Sequence, residues 1–341
     1  MTVNVERNLS PPGVDLGRFP SRGRARALAL ARHLGGLVAL LLASSVVVFL
    51  SLQLAPGSPE SVLFGQQQVP DAVREAVRAR YHLDDPVPLQ YLNWLAGVLQ
   101  GDFGVSIAYQ QPVSTRIGDA AATTVLLAGY ALVLILLVGV GLGALAALRP
   151  GRVDGLVTLL TGVAVATPTF VAATLLLSYF AVELGWFPVY GPGTGLLDRL
   201  WHLTLPAVAL TIWAASFVAR VTRAAMREQL AGEHVETARA RGLAERHVIR
   251  RHVFRNALVP ITTVAGLQAA GLIVGTVVVD QIFQLGGLGQ LLVTAVNQSD
   301  FPMVQAICLL LVCAFVLVNT GVDLLYRVLD PRLRAAAGAR R

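Results

Sequence analysis

The sequence predicts an all-α integral membrane protein with six transmembrane helices, both termini cytoplasmic, and a polar helix-turn-helix on the cytoplasmic side between the fourth and fifth spans. Three observations carry this prediction. The 341 residues are 55% hydrophobic and only 14% charged, with a mean hydropathy of +0.64, far more apolar than a soluble domain. Six charge-free runs stand out: Leu34 to Leu54, Ala120 to Leu148, Gly155 to Val182, Leu200 to Ala219, Ala257 to Val279 and Phe301 to Val322. Each holds about 20 residues or more, and a helix rising ~1.5 Å per residue then crosses a hydrocarbon core of roughly 30 Å. The third observation is charge sorting. All 27 basic residues are arginine, and 22 of them fall on one side if Met1 to His33 is cytoplasmic. Basic side chains near span ends are retained in the cytoplasm, which places both termini there.

The net charge of +7 and the isoelectric point near 10.1 follow from the same sorting. The charge lies at span boundaries rather than along an aromatic-lined groove, so it gives no footprint for nucleic acid. Membrane lipid is the expected partner of the apolar runs.

Taken in order, residues 1 to 25 are rich in Pro, Gly and Arg and are expected to form a disordered basic cytoplasmic tail. The first run follows "SRGRARALALARH", as a signal peptide would, but its 21 uncharged residues exceed the usual core of about 7 to 15, so a retained anchor is expected. An outer segment, about 55 to 118, is too long for a mere connector. In "VPDAVREAVRARYHLDDP", Val73, Val77 and Tyr81 recur every four residues, as do Arg74 and Arg78, which predicts an amphipathic helix. "PLQYLNWLAGVLQGDFG" sets Leu89, Leu92, Ala96 and Leu99 on one helical face, with Tyr91 and Trp94 as interface aromatics. These helices read equally well as a surface cap and as a docking surface for an external partner.

Within the spans, Gly139 and Gly143 stand one turn apart and would let two helix backbones approach closely. Pro168 and Pro206 are expected to kink spans three and four, shaping the bundle and serving as candidate gate hinges. Trp186 and Trp201 flank the outer turn "FPVYGPGTG" and fit an aromatic belt. Cys308 and Cys313 lie five apart on the sixth span, face different sides and cannot bridge. Polar span residues such as Ser44, Ser51, Gln53, Thr123, Thr167 and Gln268 suit either a solute path or ordinary helix-to-helix bonding. Residues 336 to 341 make a second short cytoplasmic tail.

The polar segment, about 221 to 259, keeps a helical rhythm through Ala224, Arg227, Leu230, Val235 and Ala238 until Gly242 interrupts it. A glycine there suits a left-handed cap, after which Leu243 meets Ala238 across the last turn. A second helix is expected from Ala244, with Glu245 set against its dipole, running to about Val259 before Pro260 marks the return into the membrane. So shaped and preorganised a segment favours docking of a cytoplasmic protein over a passive basic loop.

"ETARARGLAERHVIRRHVFRNALVP", residues 236 to 260, resembles the cytoplasmic coupling motif of ABC-transporter permeases, which reads E-A-A, three residues, then G. Glu236, Ala238 and Gly242 match, while Thr237 replaces the second motif residue. Leu258-Val259-Pro260 is the counterpart of the motif's I-x-L-P ending, farther from the glycine than in the general pattern. That spacing is similar to the dipeptide, oligopeptide and nickel branch. "FLSLQLAPGSP", "PVPLQYLNWLAGVLQGDFGVS", "FPVYG", "LGGLGQLLVTAVNQSDFPMVQA" and "LLYRVLDPRLR" also resemble the B-type permease subunit of that branch. Ala244 departs from relatives that often carry Ser, a helix cap whose loss costs about 1 kcal/mol.

The resemblance implies a six-span ABC permease domain over residues 26 to 335, in the bacterial cytoplasmic (inner) membrane. It implies a multi-pass permease subunit of a binding-protein-dependent importer, forming half of the translocation pore for peptides or a related small solute. The implied partners are a second homologous permease, two cytoplasmic ATP-binding subunits and an extracytoplasmic solute-binding protein. Glu236, Thr237, Ala238, Gly242 and Leu243 would be the ATPase-coupling residues, with Gly242 making the turn and Arg239 and Arg241 serving ion pairs or solvation. No cofactor would be bound by this chain, ATP and Mg belonging to the partner ATPases. The residues agree that the chain is not itself the enzyme, because a chain without lysine cannot carry a P-loop. "LGGLGQ", 285 to 290, is similar to an ATPase signature but falls on the outer side and lacks its serine. The alternative, a self-sufficient secondary transporter, would call for ionisable groups at mid-span, yet Asp119, Asp280 and Asp323 sit at run edges. A membrane-embedded enzyme would need paired His or carboxylates at depth, and His33, His82, His202, His234, His247 and His252 occupy boundary or loop positions.

Overall fold

A backbone placed in hydrocarbon can bond only to itself, and the chain answers that demand with helices. The computed structural model describes residues 22–53, 75 and 85–329. The tails 1–21 and 330–341, and the stretch with Val73, Arg74, Val77, Arg78 and Tyr81, lie outside the described residues. Among those described the architecture is all-α, and the one β-type pairing is an isolated bridge between Val105 and Pro112.

The helices are α1 (Arg22–Gln53), α2 (Val87–Leu99), α3 (Val113–Leu148), α4 (Arg152–Ala166), α5 (Thr169–Leu176, widening into a π-helical end at Leu177–Glu183), α6 (Gly195–Leu230), α7 (Glu233–Ala240), α8 (Glu245–Phe283), α9 (Leu288–Asn297) and α10 (Phe301–Leu329). The part of α1 up to Ala43 falls in a unit of its own, and α1 from Ser44 onward belongs with the other helices. Among the described residues, α3, α6, α8 and the Phe301–Val322 part of α10 are long and apolar enough to cross a membrane, and the pair α4 and α5 makes a fifth candidate. The Gly35–Leu50 part of α1 is apolar but shorter.

Among the described helices, α3 and α6 share the most extensive contact. A Cβ on Gly139 would lie 2.7 Å from Val218 Cβ, and one on Gly143 would lie 2.6 Å from Thr222 Cβ and overlap the Ala219 carbonyl, so the two glycines permit the contact expected of them. Around it Leu127, Ala131 and Ile135 of α3 meet Leu203, Leu210 and Val218 of α6 and Leu272, Val279 and Phe283 of α8 in one buried core. Gly266 of α8 gives the same room to Val322 of α10.

Proline acts differently at Pro168, Pro206 and Pro260. At Pro168 the expected kink is a 100° break between α4 and α5. Thr167 before it is extended (φ −86°, ψ 115°), as the proline ring requires of its neighbour, and Pro168 then stands as the N-cap of α5. Pro206, buried in the packed middle of α6, leaves that helix unbroken. Pro260 marks no boundary either: α8 runs through it without a stop at Val259. The hydroxyls of Thr262 and Thr263 donate to the carbonyls of Leu258 (2.8 Å) and Val259 (3.0 Å), reinforcing the turn that lost a donor.

On α2, Tyr91 and Trp94 turn inward. Their rings stand 5.5 and 5.7 Å from the buried ring of Phe49, and Tyr91 Oη shares a hydrogen bond of 2.9 Å with Ser45 Oγ. The face with Leu89, Leu92 and Leu99 is the exposed one. Trp201, by contrast, remains half exposed and stacks on Phe187 at 4.4 Å.

Candidate functional site: the helix-turn-helix after the fourth long run

The rhythm read across 224 to 238 contains a break. α6 ends at Leu230, the N–H of Ala231 and Gly232 bonding to the carbonyls of Arg227 and Gln229, and Gly232 is extended (φ −78°, ψ 142°). α7 then starts with Glu233 and Glu236 in its first turn, where carboxylates meet the positive end of the helix dipole. That acidic pair after a glycine was the sequence signal for a new start.

Val235 and Ala238 are the inward residues of α7. They are buried with Ala225 and Met226 of α6, Val248, Val253 and Ala257 of α8, and Ala147 of α3. The short helix is therefore seated on the ends of three others. Gly242 has φ +75°, and two bonds close the turn: Gly242 N–H to the Arg239 carbonyl (2.9 Å) and Leu243 N–H to the Ala238 carbonyl (3.3 Å). This is the Schellman pattern that the sequence position of Gly242 predicted. Ala244 (φ −58°, ψ 135°) precedes α8 and offers no side-chain cap. A clamp stands across the corner instead. Arg239 donates to Glu245 from Nε (3.1 Å) and Nη2 (2.6 Å), and in this polar connection the guanidinium holds the Glu245 carboxyl below its usual range. Arg239 is thus ion-paired and Arg241 is exposed; a pair so open to water adds little to stability.

The residues singled out from the sequence divide in two. Glu236, Thr237, Gly242 and Leu243 are exposed, while the Ala238 side chain is buried and its carbonyl is engaged by Leu243. A Cβ on Gly242 would meet no atom of the chain within 4 Å, so the corner is open outward. Its rigid seat and free edge suit it to bear on another protein.

A second polar region lies at the far ends of α3 and α8. Asp280, 2% exposed, accepts N–H groups of Gly287 (3.0 Å) and Gln290 (2.8 Å), and Leu288 N–H donates to Thr124 Oγ1 (2.9 Å). The "LGGLGQ" loop is thereby folded onto α8. Asp300 accepts Ser106 Oγ and the N–H groups of Ile107 (3.1 Å), Ala108 (3.3 Å) and Met303 (3.4 Å), fixing the 102–112 loop to the start of α10. Both carboxylates serve backbone donors. Polar residues on the spans instead donate to backbone carbonyls: Gln268 to that of Ala214 (3.0 Å), Thr123 to that of Asp119 (3.3 Å) and Thr167 to that of Val163 (2.9 Å).

Residues 139–335 match the family described as "Binding-protein-dependent transport system inner membrane component", and residues 27–128 match "Binding-prot-dependent transport system membrane comp, N-term". The chain is 34% identical over 309 residues to "Probable peptide ABC transporter permease protein y4tP" of Sinorhizobium fredii, covering 89% of this chain and 98% of that protein. It is 36% identical over 307 residues to "Glutathione transport system permease protein GsiC" of Salmonella typhi, with 89% and 97% covered. It is 36% identical over 303 residues to "Oligopeptide transport system permease protein AppB" of Bacillus subtilis, with 87% and 96% covered. Among solved structures, an inward-facing form of the MetNI methionine ABC transporter shares the fold, with a TM-score of 0.53 at 21% identity over 63% of this chain and 96% of that one.

Proposed function

The chain belongs to the family of binding-protein-dependent transport system inner membrane components, and from that premise we propose that the helix-turn-helix α7–α8 is the handle through which ATP-binding subunits drive its pore. As a permease of an ABC importer it is a multi-pass inner-membrane protein that leaves ATP hydrolysis to a separate subunit. The proposal places six spans across the membrane, α1 being the first and the broken pair α4–α5 the third, with both termini and the α6–α8 connection in the cytoplasm. A second homologous permease completes the pore, two ATP-binding subunits hold ATP and Mg, and an extracytoplasmic solute-binding protein delivers the solute. The names of the relatives favour a peptide or related small solute as cargo.

One observation supports the handle above all others: the corner at Gly242 is rigid, closed by two backbone bonds, and open to the outside. In this reading Glu236, Thr237, Gly242 and Leu243 face the ATPase, and the buried Val235 and Ala238 pass its movement to α6, α8 and α3. A bias of several kcal/mol between inward-open and outward-open states must cross this joint, and a floppy loop would dissipate it. Pro168, at the 100° break, is the candidate gate hinge; Pro206, inside an unbroken helix, contributes shape. The test is uptake of radiolabelled peptides into proteoliposomes carrying the chain with its co-expressed partners. The proposal expects uptake only with ATP and binding protein present, and ion-gradient-driven uptake by this chain alone would overturn it.

A further inference from the structure

α4 is held against α6 by a row of arginines. Arg220, Arg223 and Arg227 follow one another at three and four residues and so share one face of α6. Arg223 donates to both oxygens of Asp154 in the first turn of α4, from Nε and from Nη2 (2.9 Å). Arg227 Nη2 reaches the same carboxylate at 2.8 Å and the Ala146 carbonyl of α3 at 3.4 Å. Farther along, Arg220 Nη2 reaches the Thr161 carbonyl of α4 at 3.3 Å. The Asp154 side chain is only 16% exposed. Charge sorting alone would account for arginines at this end of α6, but it would not aim them at one half-buried carboxylate.

We propose that Asp154 is a positioning residue that makes α4 move with α6 and α7. This rests on the coupling role given above to the α7 corner. α7 follows α6 after only Ala231 and Gly232, so displacement of the corner displaces the end of α6 that carries Arg223 and Arg227. Along the backbone, α7 is joined to α4 only through the whole of α6, the loop before it and α5. The ionic joint ties α4 to α6 directly, beside the route through Ala147 at the end of α3. α4 is one stiff helix between Asp154 and the break at Thr167–Pro168, so a shift applied at Asp154 arrives at the bend. A bidentate guanidinium–carboxylate contact resists both sliding and rotation, which a single-point contact would not.

The test uses the complete transporter in proteoliposomes, comparing Asp154→Asn, Asp154→Glu and the exchange D154R/R223D, which keeps one carboxylate between two guanidiniums. The expected result for Asp154→Asn is retained co-purification of ATP-binding subunits and retained ATP hydrolysis, with solute moved per ATP reduced at least about fivefold, the low end of coupling between sites. The exchange and Asp154→Glu should restore most of that ratio. An unchanged ratio in Asp154→Asn would overturn the inference, as would a loss of subunit assembly that the exchange does not repair. If the wild-type chain retains no ATP-binding subunit, the coupling reading itself fails and takes this inference with it.

Discussion

Substitution of Gly242 separates what the corner does for this chain from what it does for a partner. At φ +75° an L-residue such as Ala costs ~1–2 kcal/mol of left-handed strain, and Asp, which visits that region more readily, costs less. Nothing else in the chain opposes the change, because a Cβ there meets no atom within 4 Å. The seat of α7, Val235 and Ala238, is buried elsewhere and stays intact. For the isolated chain, Gly242→Ala should therefore be the more destabilising of the two in a thermal melt. For a docked partner the order reverses. A carboxylate desolvated against the ATPase without a counter-charge costs ~2 kcal/mol or more, about thirtyfold in affinity, whereas a methyl costs far less. Co-purification of ATP-binding subunits and ATP-dependent uptake should thus fall further in Gly242→Asp than in Gly242→Ala. If melting temperature and subunit retention fell in the same order, or if Gly242→Asp kept full retention and uptake, the corner would not be the contact.

Three further outcomes follow from the packing. Gly143→Val forces α3 away from the Ala219 carbonyl and Thr222 and should destabilise the fold by ~1–3 kcal/mol, whereas Gly141→Val, whose Cβ meets nothing within 4 Å, should leave the melt within ~0.5 kcal/mol. Asp300→Asn keeps one of the two oxygens that serve the pairs Ser106 with Ala108 and Ile107 with Met303 and should cost ~1–3 kcal/mol, seen as faster amide exchange at Ile107 or at Ala108; unaltered exchange at both would contradict the staple. Pro168→Ala releases Thr167 from its extended conformation and should lower uptake about tenfold with ATP-binding subunits still attached, while Pro206→Ala should leave uptake within about twofold.

The long spans were legible because the membrane imposes length and polarity on each segment separately, so local composition was enough. Gly242 was legible for a related reason: its left-handed cap depends on neighbours in sequence, Ala238, Arg239 and Leu243. Outcomes set by tertiary contact were not. Pro168 and Pro206 look alike in the chain, yet Leu205 and Pro206 are buried in the core that keeps α6 helical, while Thr167 ends α4 before a sharp bend. The restart at Gly232 hid inside a helical rhythm that continued in register on both sides. Tyr91 and Trp94 had the composition of an interface belt, and only Phe49, far off in sequence, turned them inward. Arg223 and Asp154 are 69 residues apart, and the arginine had already been explained by sidedness. The inward place of the Ala238 side chain was likewise hidden, because it is set by Val248 and Val253 of another helix rather than by sequence neighbours.

The most direct measurement is a crosslink from the corner itself. In a background with Cys308→Ala and Cys313→Ala, Gly242→Cys is treated with a short bifunctional reagent in intact membranes, and Gln298→Cys, exposed at the turn between α9 and α10, serves as the comparison. The account predicts an adduct between this chain and an ATP-binding subunit from position 242 and none from position 298. Adducts absent at 242, or equal at both positions, would contradict it.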